Sequence, residues 1–411
     1  MDKVEKRRKI IMKAFTKFLK EAVEDEVQQN STTAKHRNVP GIEHYVPLNT
    51  FETLVSADGY KADSHIVITT DGYLLTLHRI LSPSPNVTIG RNGIVLLHHG
   101  ILGSSDDWIL LGPKKSLPYL LIAAGYDVWL VNARGNKYSR THIKKDVNDD
   151  TFWDFSWHEI GLFDLAAVID YIKDRNDNDV QLNFIGYSMG ATALLVLLSV
   201  LPEYNFSVKI AILLAPLVFM HEVKGPLQLI AEHYNSDTLR LLGIREHSPL
   251  QELPPNLVKL FCEDYTNLCH NILLLLANGA QKVNEELSSK ILTYTPGGSS
   301  TKTIVHYIQS IKSGQFRMFD MDIKKNFMKY GSSYPPAYNL QNVRLPIVLF
   351  FSTGDWLSSV PDIETLLSYL PYLKHYHNVA SNDFDHLDFM WSNDADVLVY
   401  YIILEILNQA K

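Results

Sequence analysis

Residues 186–190 read GYSMG, a serine with a glycine two positions away on either side. The apolar run VQLNFI (180–185) precedes it and ATALLVLLSV (191–200) follows, so Ser188 falls where a strand passes into a helix. Glycines at 186 and 190 let strand and helix approach closely around a residue held in a sharp turn. In that context Ser188 is a candidate nucleophile; the alternative is a glycine-rich turn with an incidental serine. A serine that attacks an ester needs a histidine to accept its proton and a carboxylate to hold that histidine in the right tautomer.

Both partners have candidates downstream, in the order serine, acid, histidine. Asp355 ends LPIVLFFSTGD (345–355), a strand-like run, which puts its carboxylate at the C-terminal edge of a sheet. Its alternative role is capping the helix that starts near residue 361; Asp362 and Glu364 lie inside that helix and are poorer candidates. His386 sits in DFDHLDFMW, between the last strand and the final helix. Of the 16 histidines, its nearest rivals His375 and His377 lie on the preceding strand, where a surface role suits them. Asp385 and Asp388 flank His386, where they would raise its pKa or compete with Asp355.

An oxyanion hole needs only main-chain N–H groups. One is expected from Met189, directly after the nucleophile at a helix N-terminus, and the other from Ile101 in HHGILGSSDDW (98–108). The adjacent His98 and His99 invite a metal reading. Neighbouring histidines on a strand point apart, however, and neither an H-E-x-x-H pattern nor a cysteine cluster accompanies them, so no metal or other cofactor is expected.

The elements that must position these residues alternate. GIVLLHHG (93–100), YDVWLVNARG (126–135), VQLNFIGYS and SVKIAILLAPLVF (207–219) read as strands buried on both faces, separated by helical stretches at 117–125, 161–176 and 189–201. That spacing predicts an α/β fold with a mostly parallel central sheet flanked by helices. Ahead of it, residues 57–81 alternate as a hairpin turning on Asp71-Gly72. The alternation breaks between about 220 and 340, where helical segments predominate, and resumes at 343. The expected organisation is an N-terminal arm (1–45), a core (46–219), a mainly helical cap or lid insertion (220–342), and the rest of the core (343–411).

Composition is that of an ordinary globular chain, 46% hydrophobic and 20% charged, and the net charge of −7 gives no sign of a nucleic-acid partner. No apolar run reaches the roughly 18–20 residues of a membrane span. The first twenty residues carry eight Lys/Arg against two acids, with Ile11, Phe15, Phe18 and Ala22 on one helical face. This reads as a basic amphipathic helix, solvated or lying on a membrane surface, and its apolar stretch is too short for a secretory signal. Cys262 and Cys269 are spaced for either a disulfide or two reduced thiols, and Asn30, Asn86 and Asn205 head N-glycosylation sequons.

Several stretches together carry a family resemblance: DGYLLTLHRI, LLHHGILGSSDDWI, residues 128–140 (VWLVNARGNKYSR), FWDFSWHEIGLFDL, FIGYSMG, STGDWL and HLDFMW, collinear from about residue 50 to the C-terminus. In these the chain resembles the acid lipases (gastric, lysosomal acid and insect digestive lipases) of the α/β-hydrolase superfamily. The resemblance implies Ser188 as nucleophile, Asp355 as acid, His386 as base, Ile101 and Met189 as oxyanion donors, and the insertion as a cap over the site. It implies a lipid ester substrate met at a lipid–water interface, secretion or lysosomal residence, and a cysteine pair in the cap. Three positions depart from the family pattern. Tyr187 and Met189 stand where histidine and glutamine are usual, and Asp385 replaces the usual asparagine, adding a charge beside His386. The expected activity is hydrolysis of triacylglycerol or cholesteryl esters through an acyl-enzyme. The alternatives are a carboxylesterase for smaller esters and a catalytically silent lipid-binding relative. Residues 152–161, FWDFSWHEIG, are expected to pack a corner beneath the catalytic loop rather than to line a pocket.

Overall fold

The computed structural model describes residues 51–410, apart from 83–89, 177–178, 234–245, 248–284 and 382. The basic arm, Cys262, Cys269, Asn30 and Asn86 lie outside the described residues.

The strands are β1 (Lys61–Ile68), β2 (Tyr73–Leu81), β3 (Ile94–His98), β4 (Asp127–Leu130), β5 (Thr141–His142), β6 (Leu182–Tyr187), β7 (Val208–Leu214), β8 (Glu246–His247), β9 (Ser299–Ser300), β10 (Ile347–Phe351) and β11 (Leu373–Asn378). The main sheet runs β1-β2-β4-β3-β6-β7-β10-β11, with the short β5 paired to β2. From β4 to β11 every pairing is parallel; β1–β2 and β2–β4 are antiparallel. Every residue of β3, β4, β6 and β10 is buried, as continuous apolar runs require when helices cover both faces. The edge strand β1 is largely solvent-facing and turns into β2 at Gly72, whose φ of 100° is one that glycine alone adopts without strain.

The described helices are α1 (Phe51–Ala57), α2 (Leu117–Ala123), α3 (Ala166–Asp174), α4 (Met189–Val200), α5 (Pro226–His233), α6 (Glu285–Tyr294), α7 (Thr301–Ser313), α8 (Ile323–Tyr330), α9 (Val360–Tyr369), α10 (Asp388–Trp391) and α11 (Tyr401–Gln409). From Met189 to Ser199 α4 is buried on all sides, which is why its sequence lacks a polar face. The helix expected over 161–176 begins earlier, with a turn at Trp157–Glu159. It passes through a π-helical stretch, Ile160–Leu165, before α3. There Gly161 packs so tightly on α4 that a Cβ would lie 2.5 Å from the Ala193 carbonyl oxygen.

Between β7 and β10 the described residues form α5 to α8 and the small β8–β9 ladder. This segment, the expected cap, is seated on the core through aromatic and polar contacts. Trp157 stacks on His306 of α7 at 3.7 Å, and Tyr307 on the same helix reaches Thr192 of α4 at 3.2 Å. FWDFSWHEIG therefore packs a corner, as expected, but the corner supports the cap: His158 bonds Tyr338 and Ser156 bonds His306. Ser156 and Glu159 also form a capping box that starts this helix.

The loop after β4 is fixed by a partly buried ion cluster. Arg134 holds Asp164 (2.7 Å) and Asp71 (2.6 Å) and lies over the Tyr73 ring at 4.0 Å. Burial still pushes Asp164 up to about 6, because desolvation outweighs the guanidinium beside it.

Candidate active site

Ser188 is set by the junction between β6 and α4. Its φ of 53° and ψ of −113° are rare for a residue with a side chain, a strain of roughly 1–3 kcal/mol that the surroundings must hold. They do so through its own N–H, bonded to Leu214 on β7 at 2.8 Å, and through the flanking glycines. A Cβ on Gly190 would lie 2.4 Å from the His98 carbonyl oxygen, and one on Gly186 would lie 2.7 Å from the Ala191 nitrogen. The glycine spacing is thus a steric requirement of the turn.

The chain brings three distant residues into one line. His386 Nε2 lies 2.9 Å from Ser188 Oγ, and His386 Nδ1 lies 2.8 Å from Asp355 Oδ2. All three side chains are buried. Asp355 stands four residues beyond the end of β10, in a turn that it organises: its Oδ1 accepts from the N–H groups of Leu357 (2.8 Å) and Ser358 (2.9 Å). That leaves Oδ2 free to accept Nδ1–H, which puts the lone pair of Nε2 toward the serine. The cap of α9 is Ser359, so Asp355 does not serve there.

The rivals are accounted for. Asp385 Oδ1 accepts from Leu387 and Asp388 N–H, and Asp388 accepts from Asp385 N–H, so both carboxylates bond the backbone at the start of α10. His375 and His377 lie on β11, away from full burial. Asp362 accepts from His221 and Glu222 N–H and joins the cap to α9.

Sequence reasoning missed the residues that hold the histidine loop. Tyr187 donates its hydroxyl proton to the His386 carbonyl oxygen at 2.9 Å, and Ser352 donates to that of Phe384. The signal was the unusual residue beside Ser188, where a buried phenol needs a partner.

The loop after β3 lies against this turn: a Cβ on Gly100 would come within 3.1 Å of Ser188 Cβ. Ile101 therefore follows a residue packed against Ser188, and Met189 begins α4. His99 belongs to this loop. Its Nδ1–H donates to Gly100 O at 2.7 Å, and its Nε2 accepts from Ala133 N–H at 3.1 Å. Burial pushes His99 down to about 3 and His98 to about 4, so both rings are neutral. Among the described residues no cluster of three or more His, Cys, Asp or Glu could hold a metal ion.

Of the sequon asparagines, Asn205 is described. Its amide donates to Pro202 O (2.7 Å) and Asn342 O (2.9 Å) and accepts from Arg344 and Leu345 N–H. A glycan on that nitrogen would replace one of its two N–H donors, while Oδ1 would still accept from Arg344 and Leu345.

Comparison with known proteins identifies the family of the chain. The family model described as alpha/beta hydrolase fold matches residues 93–392, and that described as partial alpha/beta-hydrolase lipase region matches 51–112. Lipase 3 of Drosophila melanogaster is 36% identical over 368 residues, covering 87% of this chain and 93% of that protein. Gastric triacylglycerol lipase of Bos taurus is 34% identical, covering 87% and 91%. Lysosomal acid lipase/cholesteryl ester hydrolase of Homo sapiens is 30% identical, covering 87% and 90%. Among solved structures, an esterase from Exiguobacterium antarcticum superposes with a TM-score of 0.50 at 12% identity, covering 84% of this chain and 100% of that one, a likeness of fold alone.

Proposed function

The chain belongs to the acid-lipase family of the α/β-hydrolases and is an ester-hydrolysing enzyme; from that premise we propose that it cleaves acyl esters of lipids through an acyl-enzyme on Ser188. One observation carries the reading: Ser188, His386 and Asp355 stand in a single hydrogen-bonded line, at 2.9 and 2.8 Å, on a strained strand-to-helix turn.

The reaction proposed follows from that line. Ser188 Oγ attacks the acyl carbonyl while His386 Nε2 takes its proton, and Asp355 Oδ2 stabilises the imidazolium through Nδ1–H. The N–H groups of Ile101 and Met189 receive the charge on the carbonyl oxygen. His386 then gives its proton to the leaving alcohol. A water, deprotonated by the same nitrogen, attacks the acyl-enzyme and releases the fatty acid.

Relatives named for triacylglycerol and cholesteryl ester support a long-chain substrate. On p-nitrophenyl esters, kcat/KM is expected to rise from acetate to long-chain acyl groups. A strong preference for acetate or butyrate would replace the lipase reading with that of a small-ester carboxylesterase. The relatives' names, gastric and lysosomal, also support a secreted or lysosomal setting.

A lipase of this kind must meet aggregated substrate, and α8 supports a contact with an anionic lipid surface. Ile323, Phe327 and Met328 on α8 and Tyr334 just beyond it are 56 to 72% exposed, interleaved with Lys324, Lys325 and Lys329. Such a helix lies in a headgroup region with its apolar residues inserted and its lysines at the phosphates, while a chain of net charge −7 is otherwise repelled there. Burying a phenylalanine or methionine contributes about 1.5–3 kcal/mol each. The Phe327→Ser/Met328→Ser double variant is therefore expected to lose at least tenfold in partition onto phosphatidylglycerol-containing vesicles, measured by co-sedimentation. Unchanged partition would remove α8 from the contact.

A further inference from the structure

The segment that leaves α6, Tyr294–Gly297, runs against the loops after β3 and β4 and is tied to them at four points, two in each loop. Gly297 N–H donates to Leu102 O at 2.5 Å, and Gly297 O accepts from Lys137 N–H at 2.7 Å. Thr295 Oγ1 donates to Asp107 Oδ1 at 2.8 Å, and Lys137 Nζ donates to Tyr294 O at 2.7 Å. The approach is so close that a Cβ on Gly297 would lie 2.7 Å from Gly103 O and 3.2 Å from Ser104 Cβ.

The receiving side is organised for this contact. Asp107 is buried, its Oδ2 accepts from Ser104 N–H at 3.1 Å, and its carbonyl accepts from Trp391 Nε1 at 3.3 Å. Leu102 holds a φ of 57°, an uncommon value for a branched side chain, which turns its carbonyl toward the strap.

The bonds continue past the point of contact. The peptide unit that joins Leu102 to Gly103 accepts from Gly297 through its carbonyl and donates through its own N–H to Gly100 O at 3.1 Å. Gly100 O belongs to the peptide unit whose nitrogen is Ile101 N. The sequence of groups is Gly297 N–H to Leu102 O, then Gly103 N–H to Gly100 O, then Ile101 N–H. Amide units in series polarise one another, so each donor strengthens the next. His99 Nδ1–H adds a second donor to Gly100 O at 2.7 Å.

We infer that the cap strap Tyr294–Gly297 is a positioning element for the oxyanion hole: through Thr295 and Gly297 it fixes and polarises the Ile101 amide along two hydrogen-bonded peptide units. The inference rests on the reading of Ile101 as an oxyanion donor. It makes the cap part of the machinery that stabilises the tetrahedral intermediate, beyond covering the acyl chain. Thr295 and Gly297 touch no reacting atom. Their effect is therefore expected in steps that form the oxyanion and not in ground-state binding of the planar ester.

The test uses the full chain, p-nitrophenyl butyrate and a trifluoromethyl ketone whose adduct with the serine carries an oxyanion. Rates are taken per active site titrated with a fluorophosphonate, so that misfolded protein does not count. Thr295→Val keeps the shape and removes the hydroxyl; it is expected to lower kcat and weaken the ketone by the same factor, roughly ten- to a hundredfold, with KM within about twofold. Thr295→Ser is expected to restore both. Gly297→Ala, which pushes the strap off Gly103 O, is expected to act in the same direction. The inference is overturned if Thr295→Val leaves kcat and ketone affinity at wild-type values, or if the loss falls on KM and serine does not rescue it. Failure of the underlying reading looks different: the wild-type enzyme would then hydrolyse the ester without being inhibited by the ketone.

Discussion

Replacing Ser188 by alanine is expected to lower kcat/KM for a lipid ester by roughly ten-thousandfold or more, with the melting temperature within a few degrees of wild type. In the proposed mechanism the hydroxyl oxygen is the atom that bonds the acyl group, and its loss leaves only water for the attack. The fold is spared because Oγ is not what holds the turn. The turn is held by Ser188 N–H on Leu214 O and by the close packing of Gly190 on His98, neither of which alanine disturbs. Cysteine at the same place is the more discriminating change. It keeps a nucleophile beside His386, whose Nε2 lies 2.9 Å from the serine oxygen, and should retain measurable turnover of activated esters. Steady-state rates with an emulsified triacylglycerol and with p-nitrophenyl esters read both effects; wild-type rates in Ser188→Ala would move the nucleophile elsewhere.

Asp355→Asn is expected to cost about ten-thousandfold in kcat while leaving structure and KM nearly intact. An asparagine keeps an oxygen to accept from Leu357 and Ser358 N–H, so the turn after β10 survives. Its NH2 group then faces His386 Nδ1 and makes that nitrogen an acceptor. The proton moves to Nε2, and the imidazole can no longer take one from Ser188. Asp385→Asn supplies the contrast. Asp385 Oδ1 accepts from two backbone N–H groups at the start of α10, a task that an asparagine oxygen performs equally well, so kcat should stay within a few fold of wild type. Equal losses in the two variants would mean that the supporting carboxylate had been misidentified.

The legibility of the site follows from the range of each interaction. Ser188 announced itself because its turn is local: two glycines within five residues meet their steric partners in the adjoining strand and helix. The parallel sheet was equally readable, since strands buried on both faces must be apolar throughout. Asp355 and His386 could be ranked against their rivals by position along the chain, but their contact with each other and with Ser188 is a property of the assembled sheet. The clamp from Tyr187 to the His386 carbonyl spans 199 positions, and that from Thr295 to Asp107 spans 188. No periodicity encodes such a pair; each residue taken alone reads as an ordinary buried tyrosine, threonine or aspartate. The same holds for the π-helical stretch Ile160–Leu165, whose apolar spacing is that of a plain helix until Gly161 meets α4. His98 and His99 invited a metal reading by type, while their burial and their bonds into the loop after β3 give His99 a share in holding the Gly100 carbonyl.

The central claim is that Ser188 is the nucleophile that carries the acyl group. It is tested most directly by treating the active enzyme with a fluorophosphonate and locating the adduct by peptide mass mapping. The account predicts one adduct per chain, on the peptide that contains Ser188, formed in step with loss of esterase activity and absent from Ser188→Ala. Inactivation with the adduct on another residue, or an unmodified Ser188 in fully inhibited enzyme, would contradict it.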